Sequence, residues 1–529
     1  MKEQVLDPSK GPYLTGPGNR GGCSSDNLAQ RRRASCDRRR CTFFTFAGKL
    51  IFRFCIVDQR LFLNTHRNLV QPLNTTRLSM NRTLIRGATV ITMDTLGDLP
   101  CADVLVTDDK ITQIATKINA DDALLVDAGG CIMIPGLVNA HMHTWQTALR
   151  GLAANWTLLE YFKKMHAGLA TVFEPEDLHI ATLVGALNQL NCGTTTLVDW
   201  CHNNKTPAHN DAAISALLES GIRAAFFHGT PKPDPKPGEQ PFWAVPHPRT
   251  ELERLLNKYQ GHELLNVHAA VLGPHYCTLA VALHDFQMIK ALGVVGSLHQ
   301  GGGAARTPEG WNQLEAAGLL GEQINIVHGH ALSDAQLQRF CDLGMSFSVA
   351  AENEMTQGHG YPITGRLRRL GKAPSLGVDL ESVMGGDMLT QARVALGMQR
   401  SLDNFEYRLA HDSIPPTSTV NTREALRWVT VEGARMLGQL HRIGTLAVGK
   451  QADLVLIRSD DLNMQPMHDP VNTVVMQTTL ANIDSVMVAG RWKKRQGRLL
   501  DVVLAPKLAA LQASGKKIMA GLGLVANGF

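Results

Sequence analysis

The feature that most limits how this chain can fold is a rhythm of apolar runs. Between residues 131 and 379, eight short apolar runs alternate with segments of helical periodicity. They are Cys131–Val138, Thr194–Val198, Gly221–His228, Leu264–Leu272, Val294–His299, Ile324–His328, Met345–Val349 and Pro374–Asp379. Runs of this length suit strands buried on both faces of a parallel sheet. Eight strand–helix units predict a (β/α)8 TIM barrel, an architecture of typically about 250 residues. The competing doubly wound open sheet lacks its usual mark, because no G-x-G-x-x-G turn follows the first run.

β-Rich texture flanks this middle on both sides. Short β-branched runs separated by Gly and Asp turns extend from Thr83 to about Leu125. The texture returns in Gly444-Thr-Leu-Ala-Val-Gly-Lys-Gln-Ala-Asp-Leu-Val-Leu-Ile and in Ser485-Val-Met-Val-Ala-Gly-Arg-Trp. One small composite β-sandwich domain assembled from both ends of the chain is the reading. The expected organisation is a basic extension (1–79), an N-terminal β-sandwich segment (80–133), the barrel (134–440), a C-terminal β-sandwich segment (441–500) and a closing helix and tail (501–529).

Charge separates the extension from the rest. Residues 1–79 hold 14 Lys and Arg against 5 Asp and Glu, so setting their +9 aside turns the net +5 of the whole chain into −4. In a slightly acidic body nothing argues for a nucleic-acid or anionic-membrane surface. The extension reads as disordered, although Arg31–Arg33 and Arg38–Arg40 leave a nuclear or mitochondrial address open. The ten cysteines form no CxxC pair and suit a reducing, cytoplasmic setting. The apolar stretch from Phe43 to Val57 carries Lys49 and Arg53 and falls short of the ~20 residues of a spanning helix.

Chemistry concentrates where the runs end. The first is followed by Pro135-Gly-Leu-Val-Asn-Ala-His141-Met-His143. Positions i and i+2 of a strand share a face, so both imidazoles project together, and paired His nitrogens suit zinc or iron. His299, His328 and Asp379 close the fifth, sixth and eighth runs, where a purely structural strand would carry another aliphatic residue. One buried polar group at a strand end is commonplace; four strands ending this way point to a metal site at the barrel mouth.

These residues carry a resemblance. The blocks PGLVNAHMH, GTTTLVDW (Gly193–Trp200), IVHGHALSD, LGVD and GTLAVGKQADLVLI resemble the amidohydrolase superfamily, in its cytosine-deaminase and s-triazine-hydrolase-like branch, from about Leu84 to Gly497. By that resemblance His141, His143, His299 and Asp379 are the ligands of one divalent metal, zinc first, with iron or manganese as alternatives. His328 and Asp379 are the catalytic pair: Asp379 accepts a proton from the attacking water and His328 polarises the scissile group. Val267-His268-Ala269 closes the fourth run without the lysine that bridges two metals in binuclear relatives. The resemblance implies hydrolysis of a non-peptide C–N bond in a small cyclic or aromatic molecule, with neither nucleic acid nor membrane as partner. Because relatives assemble as dimers or larger, a homo-oligomer stays open.

One departure matters. Deaminating relatives carry a Glu three residues after the fifth-strand His, and here that position is Gly302. Two alternatives stay open: a lyase, such as a dehydratase or decarboxylase, on the same metal, or a deaminase with a different proton shuttle. Glu352 and Glu354 are candidates to supply the carboxylic acid. Trp145, Gln146, His202 and His275 complete the expected substrate-binding set. The loop Thr230–Pro248, with its seven prolines, carries no readable code.

Overall fold

The computed structural model describes residues 81–301 and 303–523. The basic extension (1–79) and Gly302 therefore lie outside the described residues.

Eight parallel strands form one sheet in strictly sequential order, from Leu137–Met142 through Thr194–Cys201, Arg223–His228, Leu265–Val271, Gly296–Gln300, Ile324–His328 and Ser346–Val349 to Ser375–Leu376. The last strand returns to the first through a parallel bridge between Met142 and Asp379. There the His143 N–H donates to the Asp379 carbonyl at 2.8 Å, and the Asp379 N–H to the His141 carbonyl at 2.9 Å. The sheet is thus a nearly closed barrel, the TIM-barrel class. Alternate residues fill its interior: Val198 with Trp200 and Ala225 with Phe227 share one buried cluster, as the two-residue period of a barrel strand requires.

One predicted strand divides in two. Cys131–Pro135 does not belong to the barrel: it pairs antiparallel with Leu454–Arg458 and parallel with Arg82–Ile91 in a separate mixed sheet. The chain changes sheets at Gly136, where a Cβ would come within 2.0 Å of the Thr195 hydroxyl oxygen. Only glycine lets the backbone pass there. The true first barrel strand, Leu137–Met142, carries His141.

The mixed sheet has nine strands drawn from residues 82–135 and 454–499. Its core of Ile85, Val104, Val106, Met133, Leu454 and Met487 combines both segments. A buried ion pair fastens this sheet to the barrel. Arg223, at the start of the third barrel strand, donates through Nε (2.8 Å) and a terminal nitrogen (3.0 Å) to the two carboxylate oxygens of Asp453. Leu504–Gly521 is helical and packs against Pro175–Asn191, with the Ser514 hydroxyl and Lys517 Nζ donating to Asp177. Among the described residues, no helix is long and apolar enough to cross a membrane.

Candidate active site

The strand C-termini bring five polar side chains to one point. The Nε2 atoms of His141 and His143 stand 3.3 and 3.4 Å from Oδ1 of Asp379. Nε2 of His299 lies 3.2 Å from Nε2 of His141. Nε2 of His328 is 3.7 Å from Asp379 Oδ2. Two of the five sit on unusual backbone: His328 has φ +70° and Asp379 φ +68°. A non-glycine residue held in this left-handed region costs about 1–3 kcal/mol and persists where surrounding structure enforces it. In both cases the turn falls at the last residue of an apolar run, bending the functional side chain over the barrel mouth.

Burial sets the charges. It pushes the His143 imidazole down to about 3, that of His299 well below the usual range, and that of His141 down as well. Burial opposes ionisation of Asp379 too, but the bond from His141 and the surrounding imidazoles outweigh it and hold the carboxyl far below the ordinary range. The result is three neutral imidazoles and one carboxylate. Their donor atoms cluster within 4.8 Å as His141, His143 and Asp379, and as His141, His299 and His328. With their hydrogens on the Nδ1 atoms, which are buried without a partner, the facing Nε2 atoms of His141 and His299 would offer each other lone pairs. A cation between them would satisfy those lone pairs, and an N3O donor set suits zinc-type ions.

Supporting contacts fix the orientation of these groups. His143 Nδ1 donates to the Trp200 carbonyl at 2.6 Å, leaving Nε2 as the free donor atom. Asn353 Nδ2 donates to Asp379 Oδ2 at 2.7 Å. His328 Nδ1 faces Glu354 Oε1 at 3.0 Å, and the same oxygen accepts the Ala350 N–H at 2.9 Å. Burial would lower the His328 pKa, but that bond and the charges of Asp379 and Glu354 raise it instead.

A cavity opens beside these groups. Of the predicted substrate-binding residues, only His202 lines it. It accepts from Trp145 Nε1 at 3.2 Å, faces His166 Nε2 at 3.3 Å, and stacks on His143 with centroids 4.0 Å apart. Because Nδ1 of His202 accepts, its Nε2 carries the hydrogen and donates to His166. The other five are not among the residues that line it. Trp145 is spent holding His202, and Gln146 bonds Tyr161 and Ser382. His275 bonds Gln300. Glu352 accepts from Gln391, and Glu354 is turned toward His328.

Sequence reasoning missed Asn353, Gln357 and Lys232, all of which line the cavity. Asn353 and Gln357 are i and i+4 on the short helix Ala351–Gln357, one face of which looks inward. That spacing directly after the seventh run was the available signal. Lys232 sits in the proline-rich loop. Burial lowers its pKa to about 8, and its Nζ lies over the rings of Trp200 (5.5 Å) and Tyr276 (5.7 Å).

Residues 281–493 match the family model described as "Amidohydrolase family". The chain is 29% identical over 475 residues to the 8-oxoguanine deaminase of Pseudomonas aeruginosa, covering 84% of this chain and 100% of that protein. It is 23% identical over 440 residues to the 5-methylthioadenosine/S-adenosylhomocysteine deaminase of Caldicellulosiruptor saccharolyticus, covering 79% and 94%. In three dimensions it is similar to a triazine hydrolase variant, with a TM-score of 0.73 at 22% identity and coverage of 82% and 99%. A zinc-bound adenosine deaminase from Xanthomonas campestris gives 0.71 at 23% identity, covering 83% and 98%. The two structural likenesses speak for the fold alone. With the family domain at residues 281–493 and the relatives along most of its length in agreement, the chain is a hydrolase of C–N bonds that carries an amidohydrolase family domain.

Proposed function

We propose that this chain is a zinc-dependent aminohydrolase that replaces an amino group on a ring carbon of a small nitrogen heterocycle with oxygen, releasing ammonia. The observation that carries the reading is the convergence of three neutral imidazoles and one carboxylate at the mouth of a cavity walled in part by the rings of Tyr161, Phe162 and Tyr276. That two relatives are named as deaminases of 8-oxoguanine and of 5-methylthioadenosine supports the same class.

His141, His143, His299 and Asp379 would hold the ion. A divalent cation there supplies Lewis acidity that brings the pKa of a water toward ~7. Asp379 accepts a proton from the attacking water, its carboxylate held in place by the Asn353 amide. Oxygen bonds to the ring carbon and the C–N bond breaks. The leaving nitrogen must gain a proton, and the residue at the position usual for that task is Gly302. His328 takes over: the Glu354 carboxylate stabilises its imidazolium, and Nε2–H delivers the proton from the cavity side. Glu354 thus contributes through His328 rather than from the substrate side.

The test is ammonia release from a panel of aminopyrimidines, aminopurines and amino-s-triazines by zinc-loaded full-length protein. Turnover of at least one member, lost on chelation and restored by zinc, is expected. A metal-replete protein that released no ammonia from any of them would overturn the reading.

A further inference from the structure

The cavity wall holds one ammonium group that the proposed reaction does not use. Lys232 Nζ faces the interior between the rings of Trp200 and Tyr276. Among the described residues it makes neither an ion pair nor a hydrogen bond. Aromatic faces attract an ammonium but do not neutralise it. An ammonium partly withdrawn from water without a counter-ion is costly, and an arriving anion would relieve that cost. Among the described residues, the one carboxylate lining the cavity is that of Asp379, which lies beyond ion-pair reach of Lys232 and sits among the imidazoles. A divalent cation at that cluster would leave the cavity more positive still. The counter-charge for Lys232 therefore has to enter with the ligand.

The loop is built to hold this lysine in place. Pro231 and Pro233 flank it, each fixing its own φ near −65°. The backbone on both sides is thus restricted.

We propose that Lys232 is the specificity determinant of this cavity, and that the substrate is a small nitrogen heterocycle bearing an anionic oxygen, as a carboxylate or an ionised ring oxygen. The ammonium grips that oxygen and so fixes which ring carbon faces Asp379 and His328. The inference rests on the proposed function for the reaction, but not for the binding.

The experiment is therefore a binding measurement on full-length protein, zinc-loaded and chelated, comparing wild type, Lys232→Met and Lys232→Arg by calorimetry. The probes are pyrimidine-4-carboxylate against pyrimidine-4-carboxamide, and barbiturate against pyrimidine. A charge-assisted hydrogen bond gives an expected loss of about 10–100-fold on Lys232→Met for the anionic member of a pair. The neutral member should change by less than about threefold, and Lys232→Arg should keep some of the preference. Loss confined to the carboxylate pair names a carboxylate, and loss confined to barbiturate names a ring oxygen; either supports the proposal. Equal weakening of charged and neutral probes, or no weakening of either anion, overturns it. Because these arms read binding, a failure of ammonia release leaves their result intact. Where turnover is found, Lys232→Met should raise KM for the anionic substrate and lower kcat as well, because the ring loses its register, with zinc content unchanged.

Discussion

Glu354 and His328 form a buried pair in which the tautomer is dictated by chemistry alone. A carboxylate oxygen only accepts, so the 3.0 Å contact places a hydrogen on Nδ1 of His328 and turns Nε2 toward the cavity. Glu354→Gln keeps the shape but offers the ring an ambiguous partner. Turnover should fall about 10–100-fold with zinc content intact, the usual size for a group that orients a metal-site residue. Elemental analysis alongside steady-state kinetics checks it, and an unchanged kcat would disconnect Glu354 from the reaction.

Removing a ligand should do more. His141→Ala and Asp379→Ala each delete a donor from the cluster, and both should lose zinc as well as activity, beyond the roughly 10–100-fold expected of a supporting residue. Chelation of the wild type should reproduce the loss and lower the melting temperature, because an ion bound only by the folded state stabilises it.

Gly377 offers a way to disturb the cluster without touching a ligand. A Cβ there would lie 2.4 Å from the His141 carbonyl oxygen and 2.7 Å from its Cβ. Gly377→Ala should push the first strand outward, costing about 1–3 kcal/mol of stability. Zinc affinity should drop with it, in a competition titration against a coloured chelator.

The bridge between Arg223 and Asp453 is 2–3% exposed on both sides. Removing one partner strands a buried charge, so Arg223→Met and Asp453→Asn should each cost about 3–5 kcal/mol. The double variant should cost less than the two singles summed. Denaturant midpoints measure all three.

Histidines away from the cluster predict an acid-labile fold. Burial lowers the imidazoles of His228 and His268 to about 4 from an ordinary 6.5. The folded state thus disfavours their protonation, and the stability they contribute is complete above pH 6.5. It is lost progressively as pH falls from 6.5 toward 4, by about 2 kcal/mol for each at pH 5. Melting temperatures between pH 7.5 and 5 should decline accordingly; a flat profile would contradict the assignment.

What was legible in the sequence follows from how local each signal is. A barrel strand announces itself by a short apolar run, and a residue at its end is placed by the strand's own period, so His141, His299, His328 and Asp379 could be brought to one mouth without coordinates. The boundary at Pro135–Gly136 was not legible, because two strands of different sheets follow one another with a single residue between them and read as one run. The inward face of Ala351–Gln357 is offset by one position from its acids: Glu352 and Glu354 draw attention by their charge, while Asn353 and Gln357 face the cavity. Trp145 and Gln146 follow the histidines in sequence, but a short helical turn, Thr144–Leu149, buries them, and neither lines the cavity. Lys232 could not be found, since a loop's path depends on what it packs against rather than on its own pattern.

The pairing of Cys131–Pro135 with Leu454–Arg458 has a consequence for how the chain is made. During synthesis the first of these strands leaves the ribosome about 320 residues before the second exists. For all of that interval its outer edge has no permanent neighbour. The barrel must therefore be translated past an open, aggregation-prone edge, and the last strands to emerge act as the clasp that closes it.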